Sequence, residues 1–431
     1  MSSRDAQPGL ARRLSTTDAV VLGLGSMIGA GVFAVFGPAA RAAGAGLLIG
    51  LVIAAVIAFC NATASAQLAS QYPTSGGTYI YGRERLGPWW GFAAGWGFVI
   101  GKTASCAAMA LTVATYALPG PAWAQRLVAV AVVLGLAALN YRGVTKTAAL
   151  TRLLVAASLA ALIAVVAAVT FRMLSGSAQI APDGLDNWGG TYGVLQAAGL
   201  LFFAFAGYAR IATMGEEVRD PRRTIPRAIP IALFIAVAVY LVVGLAALAA
   251  AGPARLATAA APLVEAVQAV GADALVPVVR IGAVVAASGA LLALIAGVGR
   301  TTLAMARHRD LPGSLAAVHP RYRVPHHAEL ALAVVVSALV LTTDLRGVIG
   351  FSSFGVLVYY AIANAAALTQ TAAQRRWPRA LQVVGMGGCI ALVATLPWAS
   401  LLAGGLMFAV GLAGRRLVRD RRARVKPIDA S

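Results

Sequence analysis

About twelve long apolar stretches occupy almost the whole chain. Its 431 residues are 60% hydrophobic and 12% charged, whereas a soluble protein has about 45–50% apolar and about 25% charged residues. A helix that crosses a membrane needs about 20 apolar residues, so twelve crossings and their short loops use nearly the full length. The sequence therefore predicts an all-α polytopic membrane protein with about 12 transmembrane helices and no separate soluble domain.

The charged residues indicate how the chain sits in the membrane. We predict an N-terminal tail at 1–18, one transmembrane domain at 19–417 and a basic C-terminal tail at 418–431. With the N-terminus inside, most of the 35 lysines and arginines fall on that same side, as cytoplasmic loops require. We expect both termini in the cytoplasm and the chain integral to the cytoplasmic membrane. The net charge of +20 then reports topology and attraction to anionic membrane lipid, and no nucleic-acid partner is expected.

The first apolar stretch contains a cluster of three glycines. Gly25, Gly29 and Gly31 lie within seven residues, and each glycine costs a helix about 1 kcal/mol relative to alanine. A helix interrupted at membrane depth frees backbone groups, which is tolerated where they line a cavity or bind a solute. A half-helix starting near Gly29 would present amides and a positive dipole end to a carboxylate. A tightly packed helix crossing is the alternative explanation.

The sixth stretch has a second predicted break, at 202–209. Carbonyls freed near Ala204 to Gly207 can accept hydrogen bonds from an ammonium group, and an aromatic side chain there can close over a cation. A carboxylate at one break and an ammonium at the other describe an α-amino acid. The sequence therefore predicts a secondary transporter that holds its solute between the two breaks.

Four motifs, in order along the chain, resemble those of the amino acid–polyamine–organocation (APC) superfamily of permeases. They are 25–33 (GSMIGAGVF), 72–79 (YPTSGGTY), 202–207 (FFAFAG) continuing to 216–221 (EEVRDP), and 304–307 (AMAR) with 311–312 (LP). The resemblance implies a five-plus-five inverted repeat with broken helices 1 and 6. The repeats would cover about 19–171 and about 191–371, followed by extra helices at about 381–417. It also implies transport of an amino acid or amine by alternating access.

The resemblance also assigns substrate-binding residues. The residues that would hold the carboxylate are Ser26, Met27, Gly29, Ala30 and Gly31. Those that would hold the amino group are Phe203, Ala204 and Ala206, with Phe203 also acting as a lid and Gly207 as the flexible point.

The sequence offers two alternatives for the ion that drives transport. Proton-coupled members of the superfamily often carry a lysine in the fifth helix, and this chain has Ser158 at that position. Ser158 could coordinate sodium together with Ser288 and carbonyls near Ser26. Alternatively, a proton could be handled by Lys102, the lone lysine inside the third stretch, since an ionisable residue at membrane depth is expected to be functional.

The loop after the sixth stretch is expected to hold a cytoplasmic gate. Arg210 lies just past the break and could pair with Glu216 or Glu217. These two carboxylates lie among several arginines, which favours a gate or a structural salt bridge over a catalytic role.

Other classes of membrane protein fit less well. A channel would show repeated filter sequence or rings of one charge, and an enzyme would need a nucleophile with a base, or a metal set, inside the spans. We therefore expect no enzyme activity, no cofactor and no metal site. The function expected is proton-coupled amino acid symport or amino acid exchange. A polyamine or organic-amine carrier and a sodium-coupled amino acid symporter remain the alternatives.

Overall fold

The fold is a bundle of α-helices. The computed structural model of the protein describes residues 14–72, 76–143, 148–179, 181, 186–212 and 218–425. In those residues the only pairing of extended segments is an isolated bridge between Leu14 and Val218. The predicted all-α class is therefore confirmed.

Eight of these helices are long enough to cross a bilayer alone, and some shorter ones do so only in combination. In chain order they are α1 (Thr16–Met27), α2 (Ala30–Ala34), α3 (Phe36–Ala43), α4 (Leu47–Gln71), α5 (Thr78–Leu86), α6 (Pro88–Ala117), α7 (Ala122–Tyr141), α8 (Ala148–Leu174), α9 (Gly190–Phe205), α10 (Ala209–Ala212), α11 (Pro221–Thr258), α12 (Pro262–Ala269), α13 (Val276–Arg307), α14 (His326–Thr342), α15 (Leu345–Leu368), α16 (Arg379–Thr395) and α17 (Trp398–Val425). Within the described ranges, ten segments have the length and composition of membrane spans. α14 and α16 are apolar but only 17 residues long, and they lie where the sequence places its ninth and eleventh crossings.

The first crossing is interrupted where the glycine cluster predicts. α1 begins with Ser15 as its N-cap, in a capping box with Asp18, and it ends at Met27. Ile28 and Gly29 then leave helical geometry, with Gly29 at φ −95° and ψ −129°, before α2 begins. The backbone is nearly helical again from α2 into α3, since Val35 between them has φ −78° and ψ −25°.

The sixth crossing changes geometry less than its sequence suggests. α9 ends at Phe205, and Ala206–Tyr208 form a 3₁₀ turn that leads into α10. The helix is tightened rather than fully unwound at Gly207, because Ala206 keeps helical φ and ψ of −62° and −1°.

α6 lies at the centre of the bundle, between α13 and α15. Its approach to α15 depends on small residues: a Cβ at Gly355 would lie 2.6 Å from the Gly97 carbonyl oxygen and 2.9 Å from the Gly101 Cα. Small residues of this kind let helices pack closely in lipid. The α6 backbone is therefore held firmly against its neighbour.

The bundle has two ends with different contacts. We call the end formed by α5, the turn at Asp310 and the Arg415 region of α17 the basic end, because Arg83 and Arg415 both pair with Asp310 there. The opposite end is formed by the end of α6 at Tyr116, by α12 and by the start of α13.

Candidate functional site

The two interrupted crossings touch each other directly at Gly207. A Cβ on Gly207 would overlap the Ser26 carbonyl group and the Met27 amide nitrogen. Farther along, a Cβ on Gly31 would lie 2.8 Å from the Ala204 Cα. The glycines therefore bring the backbones of both breaks into contact, which no other residue type would permit at Gly207.

Tyr240 of α11 bridges the two breaks. Its hydroxyl lies 2.5 Å from the Met27 carbonyl oxygen and 3.1 Å from the Ala204 carbonyl oxygen, so it can donate to either. The side chain is 1% exposed and packs on the Phe205 ring. Carbonyls released by an interrupted helix need a donor in an apolar interior, and Tyr240 supplies one. A single tyrosine in a long apolar helix was the only sequence signal for this role.

Lys102 of α6 reaches the sixth crossing. Its Nζ donates a hydrogen bond of 3.1 Å to the Ala206 carbonyl oxygen, at the start of the 3₁₀ turn. The side chain is 6% exposed. Lys102 and the break in the sixth crossing therefore belong to one site. The sequence alone did not predict this contact.

A cavity of about 90 Å³ lies where these elements meet. The residues lining it come from the first crossing, α6, the sixth crossing and α13, together with Gly76. They are Ser26, Gly76, Phe98, Lys102, Ser105, Met109, Phe203, Ala206, Gly207, Ala209, Arg210, Ala290, Ala293, Leu294, Gly297, Arg300, Thr301 and Ala304. Gly76 and Ala304 lie towards the basic end, so the cavity extends from the breaks in that direction.

The predicted substrate-binding residues divide into two groups. Those that line the cavity are Ser26, Phe203, Ala206 and Gly207. Those that lie behind its wall are Met27, Gly29, Ala30, Gly31 and Ala204, all buried. A Cβ on Gly29 would overlap Ala290 of α13, so this glycine allows close packing in addition to interrupting the helix.

Phe203, the predicted lid, and the nearby Phe205 occupy different places. Phe203 is 7% exposed and lines the cavity. Phe205 is fully buried against Tyr240, with ring centroids 5.1 Å apart. The position assigned from the motif is thus the one beside the cavity.

The predicted sodium-binding serines are not brought together. Ser158 is 1% exposed, and its hydroxyl donates a 2.7 Å hydrogen bond to the Leu154 carbonyl of its own helix. On α13, Ala286 and Ala290 face the first break. At about 100° per residue, Ser288 lies roughly 160° from Ala286, on the far face of α13.

The predicted gate is only partly described. Arg210 lines the cavity opposite Gly297, whose added Cβ would lie 3.9 Å from the Arg210 guanidinium. Glu216 and Glu217, its predicted partners, lie outside the described residues.

The opposite end is closed around Tyr116. Its hydroxyl donates a 2.9 Å hydrogen bond to the Phe33 carbonyl and accepts one of 3.4 Å from the Leu263 amide of α12. Arg280 of α13 donates to the Tyr116 carbonyl at 3.0 Å. Four elements therefore meet at Tyr116, between the cavity and the opposite end.

At the basic end, the carboxylate of Asp310 joins three elements. It accepts a 2.8 Å hydrogen bond from the Tyr79 hydroxyl and pairs with Arg83 at 3.4 Å and Arg415 at 2.8 Å. The Arg415 guanidinium also lies 4.8 Å from the centre of the Phe92 ring. Burial, with the neighbouring Asp310 carboxylate, raises the pKa of Tyr79 far above its usual range, so the phenol stays protonated and continues to donate.

The family of the chain follows from its similarity to known proteins. Residues 14–414 match the family model described as amino acid permease. An uncharacterized transporter of Mycobacterium tuberculosis is 60% identical over 426 residues, covering 98% of this chain and 96% of the relative. The branched-chain amino acid permease BcaP of Bacillus subtilis is 25% identical, covering 96% and 94%. The methylthioribose transporter of the same organism is 26% identical, covering 95% and 94%.

These similarities extend over nearly the whole chain. The last two relatives resemble it equally well although their names give different solutes, so likeness at this level does not define what is carried. The ten apolar spans and the family match make the chain an integral membrane transporter and not an enzyme. This protein belongs to the amino acid permease family.

Proposed function

We propose that the protein is a secondary transporter that carries an amino acid across the cytoplasmic membrane by alternating access. One observation carries this proposal: the two interrupted crossings meet at a buried cavity that extends towards one end of the bundle and is sealed at the other by Tyr116. A cavity with one open end is the geometry that a carrier needs, because a solute must never reach both sides at once.

The cavity offers separate places for the two ends of an amino acid. The carboxylate would lie beside Ser26, with the start of α2 behind it, and the ammonium would lie beside the Ala206 carbonyl under Phe203. Three cations, Lys102, Arg210 and Arg300, line the cavity, and no carboxylate is among its described lining residues. This lining favours a neutral or anionic amino acid over a polyamine, which would need acidic partners.

Proton coupling through Lys102 is the coupling that the site favours. The lysine contacts a break and lines the cavity. Ser158 is already hydrogen-bonded within α8, and the helical period turns Ser288 away from the first break. We therefore propose proton-coupled symport or amino acid exchange, and sodium coupling through Ser158 is the alternative.

The orientation proposed for the chain follows from its charge. The basic end carries Arg83, Arg415 and the loop after α13, and this positive charge supports a cytoplasmic location for it and for both termini. The described conformation is then the one that opens inward. We also propose that the crossings before and after the 181–189 region are the two halves of a five-plus-five inverted repeat.

Uptake into liposomes containing the purified protein tests this function. We expect labelled L-amino acids to exchange across the membrane and polyamines not to. Accumulation should follow an imposed pH gradient and not a sodium gradient. Accumulation that needs sodium and ignores pH would contradict the role of Lys102 and favour Ser158, and a lack of exchange for every amino acid would contradict the transport function itself.

A further inference from the structure

Lys102 places an ammonium group of the protein at the position where the proposed function places the ammonium of the substrate. Its Nζ is 3.1 Å from the Ala206 carbonyl oxygen. Both groups line the cavity between the breaks. A lysine ammonium and the α-ammonium of an amino acid are the same chemical group, with three N–H donors and one positive charge.

Two other carbonyls at the breaks have a different donor within reach. The single hydroxyl of Tyr240 can donate to the Met27 or to the Ala204 carbonyl from behind the wall. Ala206, by contrast, lines the cavity, and its carbonyl is bonded by Lys102, a cation that also lines the cavity. Two ammonium groups on this one oxygen would repel each other strongly, because charges interact more strongly in a site of low dielectric constant. The substrate and Lys102 therefore compete for it.

The surroundings allow this exchange of partners without movement of α6. The helix backbone is fixed against α15 by the close contact of Gly97 and Gly101 with Gly355. The lysine side chain, by contrast, has four flexible carbons and borders open space. Displacing Nζ from Ala206 needs only side-chain rotation into the cavity.

We propose that Lys102 is a tethered stand-in for the substrate's ammonium, an inference that rests on the proposed function. When the carrier holds no solute, Lys102 occupies the Ala206 carbonyl, and an arriving amino acid displaces it. A buried carbonyl without a partner is costly, so a carrier lacking the stand-in would close poorly when empty. Lys102 thereby allows the empty carrier to change conformation, which net transport requires and one-for-one exchange does not.

The test compares two rates in liposomes preloaded with a labelled amino acid. Net efflux is measured with no amino acid outside, and exchange is measured with unlabelled amino acid outside. We expect Lys102→Met to lower the ratio of net efflux to exchange by about tenfold, the change that follows from losing one hydrogen bond to a charged group. Cys106→Ala is the matched control, since Cys106 lies one turn along α6, is buried and is outside the cavity lining, and it should keep the wild-type ratio.

Chemical rescue separates the stand-in from a structural role. Methylammonium in the bath should restore net efflux by Lys102→Met, because it can occupy the Ala206 carbonyl, and it should not raise net efflux by the wild type. Should Lys102→Met not reach the membrane, Lys102→Leu replaces it with the same expectation, since leucine also has no donor for the Ala206 carbonyl.

Three results would overturn the inference. An unchanged ratio in the lysine variants, or equal loss of both rates without rescue, would show that Lys102 is no stand-in even though the wild type exchanges amino acids. Wild-type vesicles that exchange no amino acid would overturn the proposed function and the stand-in with it.

Discussion

Two glycines set the distance between the first and sixth crossings. Gly207 lies on the Ser26–Met27 peptide, and Gly31 lies on Ala204. Neither contact involves a positive φ, so it is close approach and not backbone conformation that requires glycine here. The cavity lies beside the point where these two backbones meet.

Gly207→Ala tests this contact. The added methyl group would overlap the Ser26 carbonyl, and overpacking of this kind costs about 1–3 kcal/mol, so we expect amino acid exchange to fall by about tenfold or more. Gly135→Ala is the control, because Gly135 lies in α7 with no atom within 4 Å of its added Cβ. Equal exchange by the two variants would contradict the proposed contact.

Phe203 is the residue expected to cover the solute. We expect Phe203→Ala to weaken substrate binding by about 1–3 kcal/mol, through loss of apolar contact and of the aromatic face beside a cation. Phe205→Ala should instead lower stability by about 3–5 kcal/mol, because it empties a fully buried site. Titration of both purified variants with the transported amino acid, alongside thermal unfolding, measures both effects. The reverse pattern would place the lid at Phe205.

At the scale of helices, the sequence predicted where the helices are interrupted better than it predicted which side chains bond the carbonyls there. Three glycines within one apolar stretch predicted the break at Ile28–Gly29, because glycine weakens a helix locally. The sixth crossing was predicted to be broken, but it tightens into a 3₁₀ turn. Lys102 bonds the Ala206 carbonyl of that turn, and Tyr240 bonds the Ala204 carbonyl just before it. These donors come from other helices, so no local pattern could reveal them.

The contacts of Asp310 could not be predicted from sequence patterns either. Tyr79 lies 231 residues away along the chain, and Arg415 belongs to the last helix. The side chains of Asp310 and Arg415 are only 6% and 5% exposed. Breaking a buried ion pair by removing one charge costs about 3–5 kcal/mol, so this pair joins α5 and α17 firmly to the loop after α13.

Asp310→Asn should therefore lower the thermal unfolding midpoint of the detergent-purified protein clearly, since it leaves Arg415 buried without a full countercharge. Glu265→Gln is the control, because the Arg255–Glu265 pair is more exposed, at 58% and 27%, and surface pairs contribute only about 0–1 kcal/mol. Similar midpoints for the two variants would show that the buried pair does not join these elements.

Over the whole molecule, the cavity extends towards the end that carries Arg83 and Arg415. Gly297 and Arg300 line the cavity on its side towards the basic end, and the hydrogen bonds of Tyr116 join four elements on the side of the opposite end. The apolar, all-helical character could be predicted from composition, whereas the expected number of about twelve crossings is not confirmed, since ten segments of the described ranges qualify as spans. Which end is open in a given conformation depends on contacts between distant helices, and it could not be predicted from composition.

Chemical modification at Ala293 most directly tests the central claim that the solute is held between the two breaks and reached from the cytoplasm. Ala293 lines the cavity on α13, and the three native cysteines are buried and can be replaced. Ala293→Cys in that background should react with a membrane-impermeant thiol reagent added from the cytoplasmic side. The transported amino acid should slow this reaction, while leaving the labelling of an exposed Ser314→Cys unchanged. A cysteine at 293 that the cytoplasmic reagent does not reach, or that reacts equally fast with and without the amino acid, would contradict the claim.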